Sequence, residues 1–298
     1  MSRQSAIILV LLSALGFGSI ALFAKIAYAA GVTPSMLLAL RFTLAVAILA
    51  PLVWFRRLPL PRGRALAGFA LMGALYTAQS QCYFTALMYA SSGLVGLLLY
   101  IYPVLVTLLS VAFGWERLDR RTLILLVLAI AGSAITLGGN LQGQPFGIAL
   151  GILAACIYAV YIVIGGRLTR HADPLAATLV VMAAAAVGNG TFAIAGHSPL
   201  PDGIAAWLAV GAIALFSTVI AIGAFLVGIK YIGPAKASII STLEPVFTIG
   251  LGVAFLGESV SLNQLVGGAM ALLAVVLLAQ RPRSQADEVP AAAASCAD

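Results

Sequence analysis

The chain has 298 residues, 62% of them hydrophobic and only 8% charged, with a mean hydropathy of +1.11 and a net charge of +7. A soluble domain carries about 25% charged residues, so a water-soluble globular fold is excluded and hydrocarbon is the solvent for most of this surface. The positive balance does not mark a nucleic-acid binder, because the basic residues fall in short breaks between apolar runs, where membrane topology accounts for them.

A bilayer core about 30 Å thick takes roughly 20 apolar residues per helix. Ten such runs follow one another, near 6–28, 34–55, 65–87, 93–113, 122–139, 145–165, 174–195, 204–228, 235–256 and 262–280. Turn residues punctuate them: Gly31 and Pro34, Pro59 and Pro61, Ser91 to Gly93, Gly138 to Gly143, Asp173-Pro174, Pro199 to Gly203, and Gly233-Pro234. Residues 281–298 are polar and alanine-rich and read as a disordered cytoplasmic tail. Ala27-Tyr28-Ala29 has the form of a signal cleavage site, but the preceding apolar stretch is too long for a signal peptide. Cys82, Cys156 and Cys296 are odd in number and lack CxxC spacing, so they suggest neither a disulfide nor a metal framework, and no cofactor is expected.

Lys and Arg set the orientation. With the N-terminus in the cytoplasm, the inner segments hold Arg3, Arg56, Arg57, Arg62, Arg64, Arg117, Arg120, Arg121, Arg167, Arg170, Lys230, Lys236, Arg281 and Arg283. Only Lys25 and Arg41 remain, in the outer parts of spans 1 and 2. Both termini are therefore expected in the cytoplasm.

Shifted by 142 residues, the chain matches itself. Pro103-Val104 meets Pro245-Val246, Leu109 meets Leu251, Val111-Ala112-Phe113 meets Val253-Ala254-Phe255, and Glu116 meets Glu258, giving seven identities in fourteen ungapped positions. Spans 1–5 thus correspond to spans 6–10. Five is odd, so the second copy enters from the opposite side, and the halves are inverted repeats of the kind secondary transporters use. The expected architecture is all-α: ten transmembrane helices in two five-helix repeats, 1–143 and 144–280, around a central cavity.

Glu244 is the acidic residue that falls inside a span, about ten residues in, or ~15 Å along the helix. A carboxylate facing lipid at that depth would cost several kcal/mol. It must face a wet cavity, find a partner or stay protonated; alternatively it satisfies backbone freed by Pro245. Pro103 and Pro245 interrupt spans 4 and 9 at matching positions, a pointer to a binding site with hinges. Further cavity candidates are Tyr76, Gln79 and Tyr83 on span 3, Tyr100 and Tyr102 on span 4, Tyr158 and Tyr161 on span 6, Phe216 and Ser217 on span 8, and Ser241 on span 9. Arg41 either binds an anionic group there or snorkels to the interface. Glu116 and Glu258 are expected to anchor helix ends. His171 and His197 lie in loops on opposite sides and no Asp lies in a span, so an enzyme is not expected.

"LEPVFTIGLGVAFLGE" closing span 9 and "YPVLVTLLSVAFGWE" closing span 4, within ten spans in a five-plus-five repeat, resemble the EamA-type family of the drug/metabolite transporter superfamily. The resemblance covers about residues 6–280 and departs where Tyr102 stands in place of a partner to Glu244. It implies a bacterial inner-membrane carrier, often an exporter of amino acids or related metabolites, with spans 1–4 and 6–9 around the cavity and spans 5 and 10 outside it. The expected function is therefore export of small metabolites, amino acids above all, by alternating access, with a drug or organic-cation effluxer as the alternative and a non-transporting receptor or enzyme as a distant one. The expected partners are a small-molecule substrate and the lipid bilayer, not nucleic acid, and a monomer is admitted.

Overall fold

A computed structural model describes residues 1–90, 92–114, 119–137, 142–257 and 260–279. Glu116, Arg117, Glu258, Ser91 and the 281–298 segment with Cys296 lie outside the described residues. The chain forms α1 (Arg3–Ala29), α2 (Pro34–Phe55), α3 (Gly63–Ala86), α4 in two pieces (α4a Ser92–Leu99, α4b Tyr102–Ala112), α5 (Arg120–Leu137), α6 (Pro145–Leu168) and α7 (Pro174–Ala195). Then come α8 in three pieces (α8a Ile204–Ala214, a π-helical turn Leu215–Ile220, α8b Ala221–Ile232), α9 in two (α9a Pro234–Ser241, α9b Glu244–Leu256) and α10 (Leu262–Ala279). Among the described residues there is no strand, only an isolated bridge between Ala90 and Gly143. Eight of the helical runs are long and apolar enough to cross a membrane. Not among the eight are α3, which carries Thr77, Gln79, Ser80 and Gln81, and α10, of which 18 residues are described.

Local chemistry sets the helix starts. Thr33 and Asp173 accept hydrogen bonds at the first turns of α2 and α7, each followed by a proline whose missing N–H is not needed there. These are equivalent helices of the two proposed copies, and they begin by the same device. Gly233, at φ 84°, lets the chain reverse between α8b and α9a with no Cβ to strain.

The packing has a two-fold pattern. Helix α1 lies on α8 and α9, and α6 lies on α3 and α4; α3 also lies on α7, and α2 on α8. Exchanging the first five helices with the last five turns each of these contacts into another. Two self-equivalent pairs, α2 with α7 and α5 with α10, pack along their lengths and join the halves. At the latter crossing a Cβ on Gly132 would stand 2.6 Å from the Gly267 carbonyl and 2.7 Å from the Ala271 nitrogen, so only glycine allows this approach. Arg121, at the start of α5, donates to the carbonyl of Leu277, near the end of α10 (3.1 Å). The two helices are therefore antiparallel, the relation that inverted copies require. Arg3 donates to the carbonyl of Leu278 (3.0 Å), which places the starts of α1 and α5 and the end of α10 at one basic end of the molecule.

The pattern is not exact, and one departure concerns the broken helices. Toward the basic end, α4b packs on α9a; among the described residues no comparable contact joins their counterparts, α4a and α9b. The broken helices are closed on each other at one end of the molecule and parted at the other.

Candidate functional site

Helices α4 and α9 are interrupted at equivalent points, Tyr100–Ile101 and Thr242–Leu243, which the 142-residue shift brings into register. Pro103 and Pro245 are the second residues of α4b and α9b, where each ring removes a backbone donor to the turn before it. Glu244 begins α9b, and the Tyr100 hydroxyl of the opposite break lies beside its carboxylate. The Glu244 backbone also touches α1: its carbonyl would stand 3.0 Å from a Cβ on Gly18. Gly16, close by on α1, comes equally near the π-helical turn, 2.7 Å from the Phe216 carbonyl. A bare face of α1 thus seats the irregular segments of both α8 and α9.

From Glu244 a chain of aromatic rings crosses the molecule. Tyr100 lies 6.3 Å from Tyr102, Tyr102 4.8 Å from Tyr158, Tyr158 5.8 Å from Tyr161, and Tyr161 5.4 Å from Tyr76, ring centroid to centroid. Tyr76 meets Phe42 edge-on at 5.4 Å and Tyr158 at 6.4 Å. Offset and edge-to-face arrangements of this kind are the ones that aromatic rings prefer. Tyr102 and Tyr161 are 2% and 1% exposed, so rings rather than open space occupy this part of the centre, whereas Glu244, Tyr83 and Tyr158 keep part of their surface accessible. The Tyr102 hydroxyl points toward the Ser238 carbonyl (3.5 Å).

Arg41 closes the far end of this chain. It is 3% exposed, so it does not snorkel. Its Nε donates to Thr218 Oγ1 (3.1 Å), a terminal nitrogen donates to the Ser217 carbonyl (3.4 Å), and the Tyr76 hydroxyl lies beside it. The guanidinium carbon lies 4.8 Å from the centre of the Phe42 ring. Both α8 residues belong to the π-helical turn, a distortion that recurs at functional sites. Ser19 fastens the same turn through Ser217 Oγ (2.8 Å), and Thr218 Oγ1 donates to the Ile213 carbonyl (2.9 Å).

Of the residues singled out in the sequence, Glu244, Tyr100, Tyr102, Tyr158, Tyr161, Tyr76 and Arg41 form this continuous group. Tyr83 lies within electrostatic reach of Glu244. Gln79 is buried on the same α3 face as Tyr76 and Tyr83. Ser241 is buried near the Tyr102 hydroxyl but outside hydrogen-bond geometry. Ser217 serves the α1–α8 contact. The Phe216 side chain is not part of the group: it is 48% exposed and stacks on Phe23 at 6.3 Å. Lys25 is exposed near the end of α1.

Sequence reasoning missed Asn189, a fully buried amide in α7. Gln81 Nε2 and Ser80 Oγ donate to its Oδ1 (3.1 and 3.4 Å), and its Nδ2 donates to Thr77 Oγ1 (3.4 Å) and to the Ala185 carbonyl (2.9 Å). An asparagine within an apolar run was the available signal. The π-helical turn was missed as well; the Ser-Thr pair and the 29-residue length of α8 were its traces.

Stacked apolar helices, antiparallel equivalents and a charged, aromatic centre define a multi-pass membrane protein built from two similar halves. The chain belongs to the EamA-like transporter family, whose pattern it matches twice, over residues 4–138 and 145–280. It is 31% identical over 218 residues to a protein of Archaeoglobus fulgidus described as an uncharacterized transporter, covering 73% of this chain and 77% of that one. It is 30% identical over 252 residues to the uncharacterized inner membrane transporter YedA of Escherichia coli K12, covering 82% and 81%. A crystal structure with 24% identity shares the fold at a TM-score of 0.82, over 94% of this chain and 100% of the other.

Proposed function

We infer that the protein is a secondary carrier of the bacterial inner membrane that exports small metabolites, amino acids first among them, by alternating access. The chain crosses the membrane ten times with both termini in the cytoplasm, which puts the basic end, where α4b meets α9a, on the inner side. The observation that carries this reading is the Glu244 carboxylate beside Tyr100, where two equivalent broken helices face each other. Broken helices at the repeat interface are where such carriers bind solute. The one-sided closure of α4 and α9 supports the mechanism: exchanging the conformations of the two halves would part α4b from α9a and join α4a to α9b, moving the opening across the membrane.

A second reading, efflux of organic cations, draws on the same carboxylate and tyrosines, which suit a cation through charge and ring faces. Purified protein in liposomes separates the two. Counterflow of labelled amino acids and of tetraphenylphosphonium is measured with and without a pH gradient. Amino-acid flux supports the first reading, phosphonium flux alone the second, and a response to the gradient establishes proton coupling. Flux of neither removes both.

A further inference from the structure

We propose that the Arg41 guanidinium and the Tyr76 hydroxyl form an anion subsite, which takes the carboxylate of an amino-acid substrate. The assignment rests on the carrier reading above and narrows it. Arg41 is 3% exposed, and its partners among the described residues are all neutral: a hydroxyl and a carbonyl in the π-helical turn, the Tyr76 hydroxyl and the Phe42 ring. A buried cation without a counter-ion is costly, and a guanidinium is built to meet a planar carboxylate through two parallel donors. Fastening the turn needs only a neutral donor, so the charge itself calls for another explanation. The Tyr76 hydroxyl can accept from the guanidinium and still donate its own proton. An unpaired donor lies alongside: the Tyr161 hydroxyl, buried and without a hydrogen-bond partner among the described residues, is carried on a ring 5.4 Å from that of Tyr76. A buried guanidinium with neutral neighbours matches the carboxylate of an amino acid and offers nothing to a simple amine.

The test compares each amino acid with its decarboxylated amine in the same liposomes: leucine against isoamylamine and phenylalanine against phenethylamine. Wild-type protein should prefer the acids. Arg41→Gln should lower the acid-to-amine flux ratio by roughly tenfold or more, the usual weight of a charge-assisted hydrogen bond. Tyr76→Phe, which removes one oxygen and keeps the ring contacts, should lower it less and in the same direction. A ratio unchanged in both variants overturns the subsite while leaving the carrier reading in place. Should Arg41→Gln fail to insert, an unchanged ratio in Tyr76→Phe alone overturns it. A wild-type protein that moves the amines and neither amino acid overturns the subsite and the amino-acid reading together.

Discussion

Arg41 and Phe216 show how far single residues can be read. A charged or aromatic residue in an apolar run announces itself, but its direction does not, because in lipid every face of a helix is apolar. The partners that fix Arg41 inside, Ser217 and Thr218, come from α8, well over a hundred residues later. Phe216, beside them in sequence, turns outward onto Phe23. Glu244 is the readable case, because a carboxylate at mid-span has few tolerable surroundings. If it works in transport, Glu244→Gln will insert normally yet lose flux by roughly tenfold or more, or carry flux with an altered pH profile; full flux at every pH would remove it from the mechanism. Asn189 makes a different claim, on stability. Its amide joins α7 to three polar groups of α3, and Asn189→Leu should lower stability by about 1–2 kcal/mol. A thermal midpoint in detergent equal to that of the wild type would show the network to be idle.

Among elements, the internal match of Pro103 with Pro245 is enough by itself to locate two interrupted helices. The breaks fall two residues ahead of each proline, as the lost donor would have served the preceding turn. What the pattern does not convey is the third irregular helix, α8, whose π-helical turn is fastened by side chains of α1 and α2 as well as by its own Thr218. If the break in α4 is a working joint, Pro103→Ala, which restores a donor, should slow exchange while equilibrium binding of the transported solute changes little. Stopped-flow flux beside calorimetric binding would read both, and unchanged rates would make the break a fixed bend.

At the scale of the whole molecule, the doubling is legible in the 142-residue self-match, whereas the inversion is an expectation drawn from an odd helix count and one-sided basic residues. The asymmetry is not legible, since two copies of similar sequence give no hint of which end is closed. The topology has a direct test. Single cysteines at Arg57 and at His197, in the α2–α3 and α7–α8 connections, should be labelled by an impermeant maleimide from opposite sides of the membrane. Labelling from one side would exclude ten inverted spans.

The crossing of α5 and α10 carries a consequence of its own. The 142-residue shift takes Ala129 onto Ala271, and both are buried in that crossing, 0% and 1% exposed. A point that maps onto its own partner stays put when the halves trade shapes, so this seam should act as a fulcrum. Spin labels at the outward-facing Val127 and Leu273 would then report one stationary distance throughout the cycle, while labels spanning α4b and α9a would report two.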